Sequence, residues 1–393
     1  MEEENKGQKI NNPFVKNDEY YYEINKSKYI ANSFISLGVY GPISSFYKAN
    51  TNELVTIKKI SNFYENPSKG KNILKQLSIL SFLNHPKVIK LIDILIPEDQ
   101  KNFQNIYLIE EFMPTNLEKL ILCDKYNYEK DIPWIIYQIL KGLNYLHSSK
   151  IMHRDIRPSN ILLNEDGDIK ICGFKNATSF NDYENTFRGE INNFTSEKGI
   201  LTYTAPEILA SKKKNKSNYN EKIDLWGVGC IMAELYTKIM PFFPSLKNNK
   251  KKWISQLNGI FKKFGKPSKE EIQKFASKER IKDISKFHAF QKMEKNELFP
   301  NVNNEDAINL MERLLCINPH DRISLKEAIN HPYFNVIKDF KYEDKIDTNK
   351  IFINEYEEKI EEMEKRNAYF NEQIEFYKNE ILLKKQNFNF NYK

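Results

Sequence analysis

His153-Arg154-Asp155-Ile156-Arg157-Pro158-Ser159-Asn160, followed after one strand and a turn by Ile169-Lys170-Ile171-Cys172-Gly173-Phe174-Lys175, is the stretch on which the reading of this chain depends. Ile169 to Cys172 reads as a short strand that delivers Gly173, Phe174 and Lys175 to its end. Glu165, Asp166 and Asp168 belong to the turn before it and point elsewhere. The stretch therefore offers one carboxylate, Asp155, and one amide, Asn160, while Gly173 supplies no ligand atom.

Size and composition frame this stretch. The chain has 393 residues, 40% hydrophobic and 29% charged, enough for a large core and two or three domains. The net charge of +7 is mild for this length and reads as solvated lysine, so a nucleic-acid surface is not expected. Cys123, Cys172, Cys230 and Cys316 are far apart and include no Cys-x-x-Cys pair, which suits a reducing compartment and argues against a zinc site or a disulfide framework. The start Met1-Glu2-Glu3-Glu4-Asn5-Lys6 is not a signal peptide, and no apolar run approaches the ~18 residues of a membrane span. An intracellular protein, of cytoplasm or nucleus, is the expectation.

Working outward along the chain, residues 1–28 are polar and read as a tail. Residues 29–60 alternate in short apolar runs with glycine punctuation, as strands do, and Asn105 to Met113 returns to that character. Lys71 to Leu83 has apolar residues at helical spacing, and helical patterns dominate later: Trp134 to Leu146, Asp224 to Tyr236, Lys252 to Phe264 and Glu305 to Leu315. A small α+β lobe over 29–113 joined to a larger helical lobe over 114–336 follows from this order. The lysine-rich stretches Lys212–Lys216 and Lys247–Lys252 read as solvated loops.

Residues 337–393 form an extension of different character, free of proline and glycine. Ile353, Ile360, Asn367, Ile374 and Ile381 recur every seven residues, with Tyr356, Met363, Phe370 and Tyr377 three residues after the first four. This heptad predicts one continuous helix over 353–384. It has three possible uses: a parallel homodimer, in which Asn367 would fix register; packing back onto the lobes; or pairing with another partner.

Further motifs complete the pattern. Lys58 lies in Val55-Thr56-Ile57-Lys58-Lys59-Ile60, Ala205-Pro206-Glu207 follows the central stretch, and Asp224-Leu225-Trp226-Gly227-Val228-Gly229-Cys230 opens a helix. With the His153–Asn160 loop these resemble protein kinases over about residues 29–336, most nearly the mitogen-activated protein kinases and nemo-like kinase. The resemblance implies a bilobal α+β kinase fold with a C-terminal helical extension and an insert at 245–304. It assigns Asp155 as the base toward a substrate hydroxyl, with Lys58, Asn160 and Arg157 as its catalytic companions. It places ATP, where bound, against Gly38, Gly41, Ile43, Thr56, Lys58, Glu110, Glu111, Met113 and Leu162. It also implies a structural ion pair between Glu207 and Arg322, an activation lip at Thr195-Ser196-Glu197, and Asp224 bonded to the catalytic-loop backbone. The acidic residues Asp339, Glu343, Asp344 and Asp347 fall where related kinases dock basic peptides, although in a different order, and read better as a solvated stretch.

The departures matter as much. Gly173 replaces the aspartate that holds magnesium, leaving Asn160 as the only metal ligand, so Mg2+ is not expected to be held well. Gln76 stands where a glutamate should meet Lys58, Ser36 replaces the first glycine of the phosphate loop, and Lys175 replaces a turn glycine. Thr56 replaces a small alanine, and Leu201 and Thr204 stand where arginines are usual. Glu110 takes the back-wall position, where a carboxylate is costly to bury unless paired. Either it replaces the missing glutamate as partner of Lys58, or it turns to solvent. Two functions stay open: a pseudokinase acting as scaffold or allosteric partner of signalling proteins, or a serine/threonine kinase with weak activity or unusual metal use.

Overall fold

The computed structural model of the chain describes residues 8–11, 19–22, 24–25, 27–63, 67–96, 104–123, 129–180, 200–211, 220–244, 252–340 and 363–390. It divides into two compact units, Met1–Met113 with Asn354–Lys393, and Pro114–Ile353. The first is built on strands and the second is mostly helical, the α+β arrangement the resemblance implies.

The first unit centres on an antiparallel five-stranded sheet of β3 (Tyr29–Leu37), β4 (Pro42–Lys48), β5 (Leu54–Ile60), β6 (Leu91–Leu95) and β7 (Ile106–Glu111), in the order β3-β4-β5-β7-β6. Alternation sorts its side chains onto two faces. Val55, Ile57, Tyr107 and Ile109 line one face with Phe46, and that face is closed by Tyr22 and Ile24 from the segment expected to be a polar tail. There, β1 (Gln8–Asn11) and β2 (Glu19–Tyr22) pair antiparallel. Tyr22 is fully buried, lies edge-on to Phe46 at 5.1 Å, and donates its hydroxyl to Ser44 Oγ at 3.0 Å. The opposite face carries Ile43, Thr56, Lys58, Leu108 and Glu110.

Helix α1 (Pro67–Phe82) begins on proline and buries Ile73, Leu74, Leu77, Ile79 and Leu80. Ile79 falls off the stripe made by the other four. The helix Met363–Phe390 packs on α1 and β6. This tail helix buries Phe370, Ile374, Tyr377 and Ile381, spaced four, three and four apart. Phe370 lies on the bare Cα of Gly70, where a Cβ would run into the ring, and 5.6 Å from the ring of Phe63. Lys384 donates to the carbonyl of Ser81 in the last turn of α1, where a cation is favoured. Each buried seam side chain contributes about 1.5–3 kcal/mol. Of the three uses open to the heptad, the described part adopts packing within its own unit. The helix runs on to Phe390, beyond the expected end at 384, while 353–362 lie outside the described residues.

The second unit is organised around two helices, Ile132–Ser148 and Lys222–Thr237, each with thirteen buried residues. The latter is buried nearly all round, which explains its apolar composition. Lys252–Phe264 and Glu305–Leu314 are amphipathic helices close to their expected limits. Strands β8 (Thr115–Asn116), β10 (Ile161–Leu163) and β11 (Ile169–Ile171) form one antiparallel sheet, and β9 (Ile151–Met152) pairs with β12 (Thr178–Ser179). Arg322 and Glu207, both buried, make a two-pronged pair, Nη1 to Oε1 at 2.7 Å and Nη2 to Oε2 at 2.9 Å. Glu234, with no exposed surface, accepts from Phe242 N–H at 2.9 Å and from the Tyr203 hydroxyl at 3.1 Å. Burial pushes its carboxyl up to about 7.

Candidate functional site

In the first unit the expected nucleotide residues Ile43, Thr56, Lys58 and Glu110 share one sheet face. Thr56 is opposite Glu110 in the ladder and Lys58 opposite Leu108, so Lys58 and Glu110 are diagonal neighbours on adjacent strands. Lys58 Nζ lies 2.6 Å from Glu110 Oε2, with Glu110 2% and Lys58 22% exposed. Of the two arrangements open to Glu110, this is the paired one. The amide oxygen of Gln76 on α1 is buried and has no hydrogen-bond partner among the described residues, so it does not hold the lysine. Gly38 N–H donates to Gly41 O at 2.8 Å, closing the turn between β3 and β4. Glu111 turns to the backbone, accepting Lys90 N–H at 2.7 Å, and Met113 is the last residue of the unit before Pro114.

In the second unit the loop 153–160 is held by backbone bonds to one buried carboxylate. Asp224 accepts from His153 N–H at 3.0 Å, Arg154 N–H at 2.7 Å and His147 Nε2 at 2.8 Å. Burial alone would raise its pKa, but these donors, His147 foremost, bring it below the ordinary value. His153 is fully buried, and that burial lowers its pKa, which keeps the ring neutral. Its Nε2 donates to Cys172 O at 2.9 Å, Nδ1 accepts Asp155 N–H at 3.2 Å, and its ring meets Phe174 edge-on at 4.9 Å. The strand end carrying Gly173 is thereby tied to the loop carrying Asp155.

Asp155 keeps Arg157 Nε at 3.5 Å, an electrostatic neighbour beyond a good hydrogen bond. Burial pushes the Asp155 carboxyl above its usual range against the pull of Arg157 and His153, making it a stronger proton acceptor. Asn160 Nδ2 donates to Asp155 O at 2.8 Å, and Cys172 N–H donates to Asn160 O at 2.9 Å. Leu162 sits in β10, opposite Lys170 and Asn116.

Gly173 adopts φ +85° and has no side chain, and a Cβ built there would lie 2.5 Å from Asn160 Oδ1. Asn160 alone is a poor site for a hard ion that prefers anionic oxygens. Among the described residues no three His, Cys, Asp or Glu side chains cluster as a metal site.

A second feature escaped the sequence. Pro114, Leu120, Trp134, Ile135 and Leu163 line a groove of about 420 Å³ whose charged lining residues, Asp131, Glu165 and Asp166, are all acidic. Glu165 and Asp166 sit in the β10–β11 turn, which Asn164 organises by accepting the N–H groups of Asp166 and Asp168. An acidic turn near a tryptophan-bearing helix was the available signal, but the groove is assembled from four separate segments. Of the acidic stretch considered for peptide docking, only Asp339 is among the described residues; Glu343, Asp344 and Asp347 lie outside them, as do Thr195-Ser196-Glu197, Lys212–Lys216 and positions 247–251. No helix among the described residues is long and apolar enough to cross a membrane.

The family description "Protein kinase domain" matches residues 29–334. The chain is 33% identical over 313 residues to "Mitogen-activated protein kinase 6" of Arabidopsis thaliana, covering 79% of this chain and 73% of that protein. It is 34% identical over 305 residues to "Extracellular signal-regulated kinase 1" of Dictyostelium discoideum, covering 78% and 54%. To "Mitogen-activated protein kinase 5" of Oryza sativa subsp. indica it is 31% identical over 353 residues, 88% of each chain.

Proposed function

The chain belongs to the protein kinase family, and we propose that within its mitogen-activated branch it acts as a pseudokinase: a signalling scaffold or allosteric partner that binds ATP weakly and without dependence on magnesium. Gly173 is the observation that carries this reading. Without a carboxylate there, and with the Asn160 amide turned to Asp155 O and Gly173, phosphate charge has to be met by lysine. Lys58, held by Glu110, supports that role in the first unit, and Lys175 supplies a further cation in the turn after Gly173. Incubation with labelled ATP, with and without Mg2+ or Mn2+, beside an Asp155→Asn control is the decisive assay. Transfer above that control would sink the pseudokinase reading. Thermal shift with ATP plus EDTA should match ATP plus magnesium, and a large magnesium-specific stabilisation would count against metal independence.

The partner class follows from the acidic groove. Its apolar floor and the carboxylates Asp131, Glu165 and Asp166 complement a basic peptide carrying one or two large apolar side chains. Glu165→Lys with Asp166→Lys should abolish binding of such a peptide in fluorescence anisotropy, and unchanged binding would remove the groove from the account. Free cysteines suit an intracellular setting, cytoplasm or nucleus. Self-association through 353–384 would require the tail helix to leave α1, so a monomer is the favoured state.

The second reading, a weak serine/threonine kinase transferring the ATP γ-phosphate, draws on one specific observation: Asp155 is positioned by His153 and Asn160 and its proton affinity is raised. The labelled-ATP assay separates the two.

A further inference from the structure

Position 173 and Asn160 compete for one volume. Gly173 has φ +85°, and a Cβ there would stand 2.5 Å from Asn160 Oδ1, 2.6 Å from Cγ and 2.9 Å from Nδ2. The whole carboxamide thus lies against the bare Cα, closer than any side chain allows. The same amide is anchored elsewhere: Nδ2 donates to Asp155 O at 2.8 Å, and the residue's backbone takes Cys172 N–H at 2.9 Å and gives its own N–H to Arg157 O at 2.9 Å. Only 9% of Asn160 is exposed.

We propose that Asn160 is here a positioning residue, whose amide fills the place of the lost carboxylate and braces Asp155 against the Gly173 turn in the way a shared cation would. The two groups that would have to face a common ion exclude each other in this arrangement. Restoring a carboxylate at 173 pushes the amide away from Asp155 O, so a single reversion loosens the loop before it gains a metal. The loss of the metal ligand has been built over. This extends the metal-free reading of the site. Its test is run without nucleotide, so that its failure and the failure of that reading can be told apart.

The test is a double-mutant cycle read by thermal melting on the full chain: unmodified protein, Gly173→Ala, Asn160→Ala, and both together. Gly173→Ala should lower Tm by about 5 °C. In the Asn160→Ala background, where the competing amide is gone, the drop should fall to less than half. Equal drops in both backgrounds would overturn the proposal, because backbone strain at a positive φ would then account for everything. If Gly173→Ala alone does not fold, a folded double variant supports the proposal and a double variant that also fails overturns it. A second arm follows Mn2+ by its paramagnetic resonance signal. Gly173→Asp should take up no more Mn2+ than the unmodified protein, and tight Mn2+ uptake at unchanged Tm would refute the exclusion.

Discussion

Replacing Glu110 tests the electrostatic account of the first unit. The carboxylate is 2% exposed and sits 2.6 Å from an ammonium that is 22% exposed. Removing one partner of a fully buried pair costs about 3–5 kcal/mol. Lys58 retains some access to water, so Glu110→Leu belongs near the lower end, about 2–3 kcal/mol. Glu110→Gln keeps an acceptor and loses only the charge, roughly half the strength of the bond, or about 1–1.5 kcal/mol. At roughly 2–4 °C per kcal/mol for a unit of this size, the expected drops in Tm are about 3–5 °C for Gln and about 6–10 °C for Leu. The diagnostic protein is the double variant Lys58→Met with Glu110→Leu, which exchanges the pair for apolar contact and should return close to the original melting temperature. Differential scanning fluorimetry on these variants measures the coupling. An unchanged Tm for Glu110→Gln, or a double variant as unstable as the sum of its singles, would refute a buried ion pair.

Four further outcomes are expected. Phe370→Ala, which empties the contact with Gly70 and Phe63, should destabilise the first unit by about 3–5 kcal/mol in urea titration, and light scattering should find the unaltered full-length protein monomeric at micromolar concentration. Glu234 has a folded-state pKa near 7 against an ordinary 4.5, so the folded state binds the extra proton between those values. Stability is therefore lost as pH rises through that window, on the order of 3 kcal/mol; Glu234→Gln should flatten the curve of melting temperature between pH 5 and 8, and an equally steep curve would show the carboxyl is not the cause. Arg322→Lys keeps a charge but loses the two-pronged contact with Glu207, and should cost about 3 kcal/mol in chemical denaturation of the second unit.

Legibility in the sequence followed the range of the forces involved. The helix Lys252–Phe264 is set by apolar spacing along one segment, and the structure holds it between the limits that spacing implies. The strand Ile169–Ile171 delivering Gly173 was equally local. Tyr22 was hidden because charged and amide residues dominate the composition of 1–28, while burial depends on where the ring lands, here against Phe46 and Tyr107. The heptad announced that a stripe would be covered and was silent about what covers it. Gly70, a small residue in the first turn of α1 on the face that continues through Leu74 and Leu77, was the unread sign of the answer. The acidic groove needs Leu120, Trp134 and Leu163 brought together, and no pattern within any one of their segments records that. For Glu110 the sequence posed the right alternatives, and the diagonal register of β5 and β7 decides between them.

That register has a consequence for signalling. When a lysine is held by a residue on a helix, its position reports the state of the helix, and a partner that shifts the helix changes the lysine's surroundings. Here the two charges ride on neighbouring strands whose spacing is set by the backbone ladder. A pull on α1, whether through the tail helix at Phe370 or through Lys384 at its last turn, has no carboxylate of α1 to carry it to Lys58. The input remains mechanically connected to the outer surface of the unit, and its usual readout is disconnected. A shift of α1 would then be offered to a neighbour as a change of shape, while the Lys58–Glu110 pair stays fixed on the sheet.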